Sequence, residues 1–235
     1  MKITVINGTE VKGCTYHLKE SFLDHFRNDH EIIQYYLPKD CPKFCIGCKV
    51  CFMNDENLCP HSKFTMPIWN SILESELIVF AYPVYALRAP AQVKALLDHL
   101  CCHWMVHRPD KKMFDKHAVI LTQSIGAPNT TAQKDVVTSL TWLGVSNIKR
   151  LGFGLMEGVV WDEISEKRRT KMVEKTKQFA RKIHKVKKVK KSLKVRLFFT
   201  ISKMIHKKTL KMEAIPSADN QHWINNGWIV LNKNV

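Results

Sequence analysis

Cys45, Cys48, Cys51 and Cys59 are spaced C-x2-C-x2-C-x7-C within a 235-residue chain. Three thiolates at i, i+3 and i+6 can wrap one face of a [4Fe–4S] cube, and a fourth from beyond a short loop can close it. Zinc would accept the same four thiolates, although two separated C-x2-C hooks are its more usual arrangement. Five of the eight cysteines fall between Cys41 and Cys59, and clustering of this kind favours ligation over disulfide formation. Cys41 lies outside the spacing and is read as structural, as are Cys14, Cys101 and Cys102. His99, His103 and His107 recur at i, i+4 and i+8. With no carboxylate or cysteine at matching intervals they are expected on a solvated or interface face of a helix. No G-x-S-x-G, G-x4-G-K-[ST] or H-E-x-x-H motif occurs, so hydrolase and nucleotide-triphosphatase readings lack support.

The elements that must position these residues alternate in type. Short apolar runs at Ile3–Gly8, Ile32–Leu37, Leu77–Ala81, Ala118–Thr122 and Ile148–Leu155 read as strands. Stretches with helical spacing lie between and after them, at Thr15–Phe26, Met66–Leu73, Ala91–Leu100, Ala132–Leu143 and Glu163–His184. Five strands alternating with five helices imply right-handed βαβ units and a parallel sheet covered on both faces. In such folds ligands sit beyond the carboxyl ends of the strands, so the loops after strands one, three and four are the places to look for a site.

Those loops carry a resemblance over roughly residues 1–185. Val5-Ile6-Asn7-Gly8-Thr9-Glu10-Val11-Lys12-Gly13-Cys14-Thr15 resembles a phosphate loop. Ala81-Tyr82-Pro83-Val84-Tyr85, with Gln92-Val93-Lys94-Ala95-Leu96-Leu97-Asp98-His99 after it, is similar to a Ser-Pro-Val-Tyr … Gln-x-Lys-x-x-x-Asp-Arg signature. Thr122-Gln123-Ser124-Ile125-Gly126 resembles a small polar turn at a flavin edge. Together they resemble the NAD(P)H-dependent FMN reductase and iron–sulfur flavoprotein branch of the flavodoxin-like superfamily. The resemblance implies a doubly wound five-stranded parallel sheet of order 2-1-3-4-5. It also implies FMN contacts from Thr9, Lys12, Thr15, Pro83, Val84, Tyr85, Ala86, Gln123, Ser124 and Gly126, with NAD(P)H as co-substrate. Lys12 is the cation expected nearest the phosphate, and amides beside the ring would stabilise its reduced form. Tyr82 alternates away from Tyr85 and is expected to sit between sheet and helix. The cysteine motif matches that of iron–sulfur flavoproteins, and a cluster in it would face the flavin edge. Relatives that keep such cysteines as unmetallated thiols lining a pocket provide a third reading of the motif.

Charge divides the chain differently. Residues 167–212 hold 19 of the 37 Lys and Arg against one acid, Glu174, which makes that segment +18 and leaves −2 on the remainder. A near-neutral body with one basic arm argues against a globular nucleic-acid reader. The expected organisation is a domain over 1–185, with the cysteine-rich loop at 41–59, and an extension over 186–235. In the extension Leu193, Leu197, Phe198, Ile201, Met204 and Ile205 form an apolar stripe, followed by Trp223 and Trp228. The stripe must bury against something. The expectation is that the tail covers the active site of its own or a partner subunit in a homo-oligomer, with peripheral membrane contact as the rival. Neither a signal-type leader nor an apolar run of membrane-spanning length is present, which suggests a cytoplasmic protein. An electron carrier without nicotinamide turnover and a binding module using the basic tail are the alternatives to an enzyme; electrons would otherwise pass to a cluster, a small molecule or a protein acceptor.

Overall fold

The computed structural model describes residues 1–155, 160–185 and 189–230. Five strands, β1 (Lys2–Asn7), β2 (Glu31–Tyr36), β3 (Leu77–Pro83), β4 (His117–Ile125) and β5 (Asn147–Leu155), form one parallel sheet of order β2-β1-β3-β4-β5. This is the flavodoxin-like order. β3 and β4 are buried along almost their whole length, as their unbroken apolar runs require when helices cover both faces. β2, at the edge, is only half-buried.

Eight α-helices are present among the described residues: α1 (Cys14–Leu23), α2 (Val50–Met53), α3 (Ser62–Glu74), α4 (Ala91–His99), α5 (Thr130–Trp142), α6 (Glu166–His184), α7 (Leu193–Leu210) and α8 (Ala218–Asn225). One face of the sheet is covered by α3, α4 and α5 through Ile68, Trp69, Leu96, Leu97, Val136 and Leu140. The other is covered by α1 and α6 through Phe22, Leu23, Ala180 and Ile183. Tyr82 is fully buried and donates its hydroxyl to the Ala132 carbonyl at 3.0 Å, the between-layer position that alternation predicts. The sequence-expected helix bounds shift by a few residues. α1 stops at Leu23 instead of Phe26, and α3 starts at Ser62, before the first strongly apolar turn.

The extension differs from expectation in which face it buries and where it docks. α7 buries Val195, Ser202 and His206 and rests Phe198 and Phe199 against Met105, Phe114 and Trp142. Phe114 precedes β4 and Trp142 ends α5, so the contact lies at the amino-terminal end of the sheet, opposite the three loops. Trp223 is fully buried, donates to the His107 carbonyl at 2.7 Å and stacks on Phe199 and His206. The indoles therefore do not shield a flavin site in their own chain; they lock α8 to the segment after α4. Most of the sequence-identified stripe, all but Phe198, points outward. The expected boundary at 185/186 and the last five residues of the tail touch positions outside the described residues.

Candidate functional site

β1 ends in Asn7-Gly8, and no larger residue fits at Gly8, where a Cβ would lie 2.5 Å from Tyr82 Cβ and 2.7 Å from Val93 Cγ2. This close approach joins the first loop to the third strand. The Gly8 amide donates to Ala81 O at 2.8 Å, and Gln92 Nε2 donates to Gly8 O at 2.7 Å. Gln92 of the strand-three signature is thus a positioning residue for the first loop, a role its spacing alone did not reveal. Beyond Gly8, Asn7, Thr9, Val11, Thr15, Tyr16, Tyr36 and Ala81 line a shallow, open hollow. α1 begins there with Gly13 at its cap, which has no side chain to bond the first turn, so no cap-residue oxygen covers the positive end of the helix. Thr9 Oγ1 accepts from the Val11 amide at 3.2 Å and shapes the turn, and Thr15 is buried on the first turn of the helix.

Lys12 is exposed at this loop, with Nζ 5.7 Å from the Tyr16 ring centre. It is not the only cation in the neighbourhood. Lys19 is fully buried one turn further along α1, where its Nζ lies 4.5 Å from the Tyr16 ring centre, donates to Gln34 Oε1 at 2.8 Å and to Tyr36 OH at 3.3 Å, and pairs with Glu20 at 2.5 Å. Burial pulls its pKa down, and the two tyrosines partly oppose that shift. A lysine at helical spacing from Thr15 was the available sequence signal.

The second loop turns sharply. Tyr85 and Arg88 exchange backbone hydrogen bonds at 3.1 and 2.9 Å, and between them Ala86 and Leu87 adopt left-handed φ values of 47° and 64°. Turns of this type favour glycine or asparagine, and non-glycine residues held there mark a strained, over-determined position. Its anchor is Asp135 on α5, which accepts from Arg88 Nη2 at 2.7 Å and from the Ala89 amide at 3.2 Å. Pro83 ends β3. The Val84 amide is bonded to Gln123 O at 2.8 Å and the Tyr85 amide to Arg88 O, so of the three amides expected to face the ring only that of Ala86 is left for it.

The third loop is similarly self-satisfied. Gln123 Nε2 donates to Ser124 O at 2.9 Å, Ser124 Oγ to Ala127 O at 2.5 Å, and the Gly126 amide to Leu155 O at 2.8 Å, with Gly126 at φ 66°. The donors expected from Gln123, Ser124 and Gly126 are used to hold the turn. Asn129 does not cap α5; its Nδ2 reaches back to Ser124 Oγ at 3.0 Å, and its buried Oδ1 has no partner among the described residues. Val11, Tyr85, Leu87 and Ile125, all large and apolar, are exposed on these three loops. An uncapped helix end with two cations, an apolar rim and an orphaned acceptor fit a phosphate-bearing aromatic ring system.

A family model described as NADPH-dependent FMN reductase matches residues 1–158. The chain belongs to that family. It is an FMN-dependent oxidoreductase related to the NAD(P)H-dependent flavin reductases. The iron-sulfur flavoprotein of Archaeoglobus fulgidus is 26% identical over 165 residues, covering 69% of this chain and 73% of that protein. Among solved structures, the azoreductase from Bacillus anthracis str. Sterne superposes with a TM-score of 0.60 at 15% identity, covering 78% of this chain and 98% of that one. The NAD(P)H:quinone oxidoreductase from Methanothermobacter marburgensis gives 0.58 at 13% identity, covering 80% and 98%. At these identities the two structures bear on the fold alone.

The cysteine loop forms a second hollow, lined by Cys45, Cys48, Cys51 and Cys59 together with Cys101, Cys102, His61 and His99. It lies between the start of α3 and the end of α4 and shares no lining residue with the hollow of the first loop. The loop presents its thiols on the α3/α4 side. The amides of Phe44 to Lys49 make no backbone hydrogen bond among the described residues, and Gly47 and Lys49 take left-handed φ values of 67° and 61°. Four thiols lining one hollow, beside amides without backbone partners among the described residues, are a donor set that a thiolate-ligated group could use, since amide donors stabilise the sulfur charge.

Cys101 and Cys102, read from sequence as structural, complete this lining. Burial pushes Cys101 up to about 11, with Cys51 and Cys45 adding to the shift, and raises Cys102 and Cys51 as well. The histidine series is not a solvated face. His103 is buried, stacks on Trp69 at 4.0 Å and is drawn down to about 3 by burial, while His107 pairs with Asp219 at 2.8 Å. His99 accepts a place beside Cys59 and His61, the ligand atoms of the three lying within 4.8 Å of one another. The departure at His99, where the signature has Arg, was the legible clue.

Proposed function

We propose that the first loop holds the phosphate of FMN through Thr9, Lys12, Thr15 and the start of α1, with Lys19 behind it. Pro83, Val84, Tyr85 and Ala86 and the turn at Gln123, Ser124 and Gly126 form the seat of the ring, with Tyr85 and the Ala86 amide as its direct contacts. FMN, when bound, takes hydride from NAD(P)H and passes electrons on. The chain supplies no acid or base for that transfer; it fixes the ring by a strained turn, sets charge near it and covers its apolar face. The convergence of three loops on the uncapped end of α1 carries this reading. Fluorescence titration tests it: FMN should be bound well above riboflavin, and equal affinity for the two would remove the phosphate site.

We further propose that Cys45, Cys48, Cys51 and Cys59 ligate a [4Fe–4S] cluster that receives the electrons, before a small-molecule or protein acceptor. A second reading has its own support. His99 can donate Nδ1–H to Ala95 O at 2.8 Å, which leaves Nε2 as a ligand 3.0 Å from His61 Nδ1, and the His61 amide donates to Cys59 Sγ at 3.5 Å. That arrangement suits one zinc-like ion, with the outer hydrogen bond fixing the ligand tautomer. Metal and acid-labile sulfide analysis of anaerobically purified protein separates them. Iron and sulfide lost in Cys45→Ser but kept in His99→Gln support the cluster. Stoichiometric zinc lost in His99→Gln and kept in Cys45→Ser supports the single ion, and protein without either retains only pocket thiols.

A further inference from the structure

Helix α7 is apolar on two opposite faces. At 100° per residue, Val195, Phe198, Phe199, Ser202 and His206 point to one side, and this side is docked on Phe114, Trp142 and Trp223. Val195 is 1% exposed. The other side carries Leu193, Leu197, Ile201, Met204 and Ile205, which are 83, 56, 38, 56 and 42% exposed. Docking of the first face already positions the helix, so the second face is not needed to hold it to the domain. An apolar row of this length left in water opposes folding and invites association, and calls for an occupant.

Charge identifies the occupant. Between residues 189 and 212 there are eight Lys and Arg and no acidic residue. Lys194 and Lys208 flank or interrupt the exposed row, and Arg196, Lys203 and Lys207 lie along one side of it. A long lysine stem can lie along apolar surface and deliver its ammonium to a phosphate level above it. An apolar row framed by lysines, on a helix with no segment apolar enough to cross a bilayer, matches a helix that lies in a bilayer interface rather than through it. A second copy of the chain would bring a second all-basic helix against the first, which the charge opposes.

We propose that the outer face of α7 is a docking surface for an anionic lipid bilayer, with Leu193, Leu197, Ile201, Met204 and Ile205 entering the acyl boundary and the lysines on the headgroups. Because α7 sits at the amino-terminal end of the sheet, the three flavin-site loops face away from the membrane and stay open to soluble partners. The docking is independent of the FMN and metal assignments.

Flotation of the full-length holoprotein with vesicles of phosphatidylcholine, with or without phosphatidylserine, tests it. The wild type should float with the phosphatidylserine vesicles and remain in solution with phosphatidylcholine alone. The triple variant Leu197→Gln, Ile201→Gln, Met204→Gln, confined to exposed positions, should lose binding by about tenfold or more while keeping flavin content and NAD(P)H turnover. Failure of the wild type to float, or equal flotation of the triple variant, overturns the proposal. So does a wild-type oligomer that the triple variant breaks into smaller species, since the face would then belong to a second copy.

Discussion

At the residue scale, much of the flavin site rests on close contacts that single substitutions should expose. Gly8→Ala places a Cβ against Tyr82 and Val93 and should lower stability by about 1–3 kcal/mol, read as a shift in urea midpoint. Lys12→Ala should weaken FMN by roughly tenfold, as expected for loss of one charge-assisted contact to phosphate, and leave riboflavin affinity unchanged. An equal loss for both flavins would place Lys12 at the ring instead. The sequence could single out Thr9, Lys12 and Thr15 as phosphate-loop candidates because such a loop is a local run. It could not show that Gln123, Ser124 and Gly126 spend their donors on their own turn, nor that Lys19 is folded in behind Tyr16, because those facts depend on rotamers and on β2 lying beside β1.

At the element scale, one buried guanidinium joins the cysteine loop to the extension. Arg108 reaches the Cys51 and Asn54 carbonyls, Glu56 at 3.2 Å and Asp219 of α8 at 3.5 Å. Arg108→Met strands part-buried Glu56 and leaves Asp219 with His107 as its remaining charged partner among the described residues, and it should cost on the order of 3 kcal/mol in thermal unfolding, with faster alkylation of Cys51. At the start of β4, Lys116 donates to Leu73 O and Ser75 O, and burial draws its pKa down to about 8. The folded pKa is below that of the unfolded chain, so between about pH 8 and 10.5 the unfolded state holds the extra proton and stability rises with pH. The wild type should gain up to about 3 kcal/mol across that window relative to Lys116→Met in denaturant melts; parallel curves would contradict the shift. Helices and strands were readable from their periodicity. The meeting of α3 and α4 at the thiol hollow was not, because Cys101, Cys102 and His99 are distant in sequence from the C-x2-C-x2-C run and bear no periodic relation to it.

At the scale of the whole molecule, the chain is a flavodoxin-like sheet with its proposed FMN loops at one end and a basic helical extension at the other. The parallel sheet followed from alternating βαβ units, and its order from the family resemblance. Which side of α7 docks on its own domain was not legible, because a helix with two apolar faces gives no sign in its sequence of which one the domain takes. The central claim is that the three loops bind FMN and that NAD(P)H reduces it. The most direct measurement is an absorption spectrum of the anaerobically purified chain, taken before and after NAD(P)H is added. The account predicts one releasable FMN per chain, with a flavin band that bleaches on addition. Protein that is folded, takes up no FMN on reconstitution and shows no nicotinamide-dependent bleaching would contradict it.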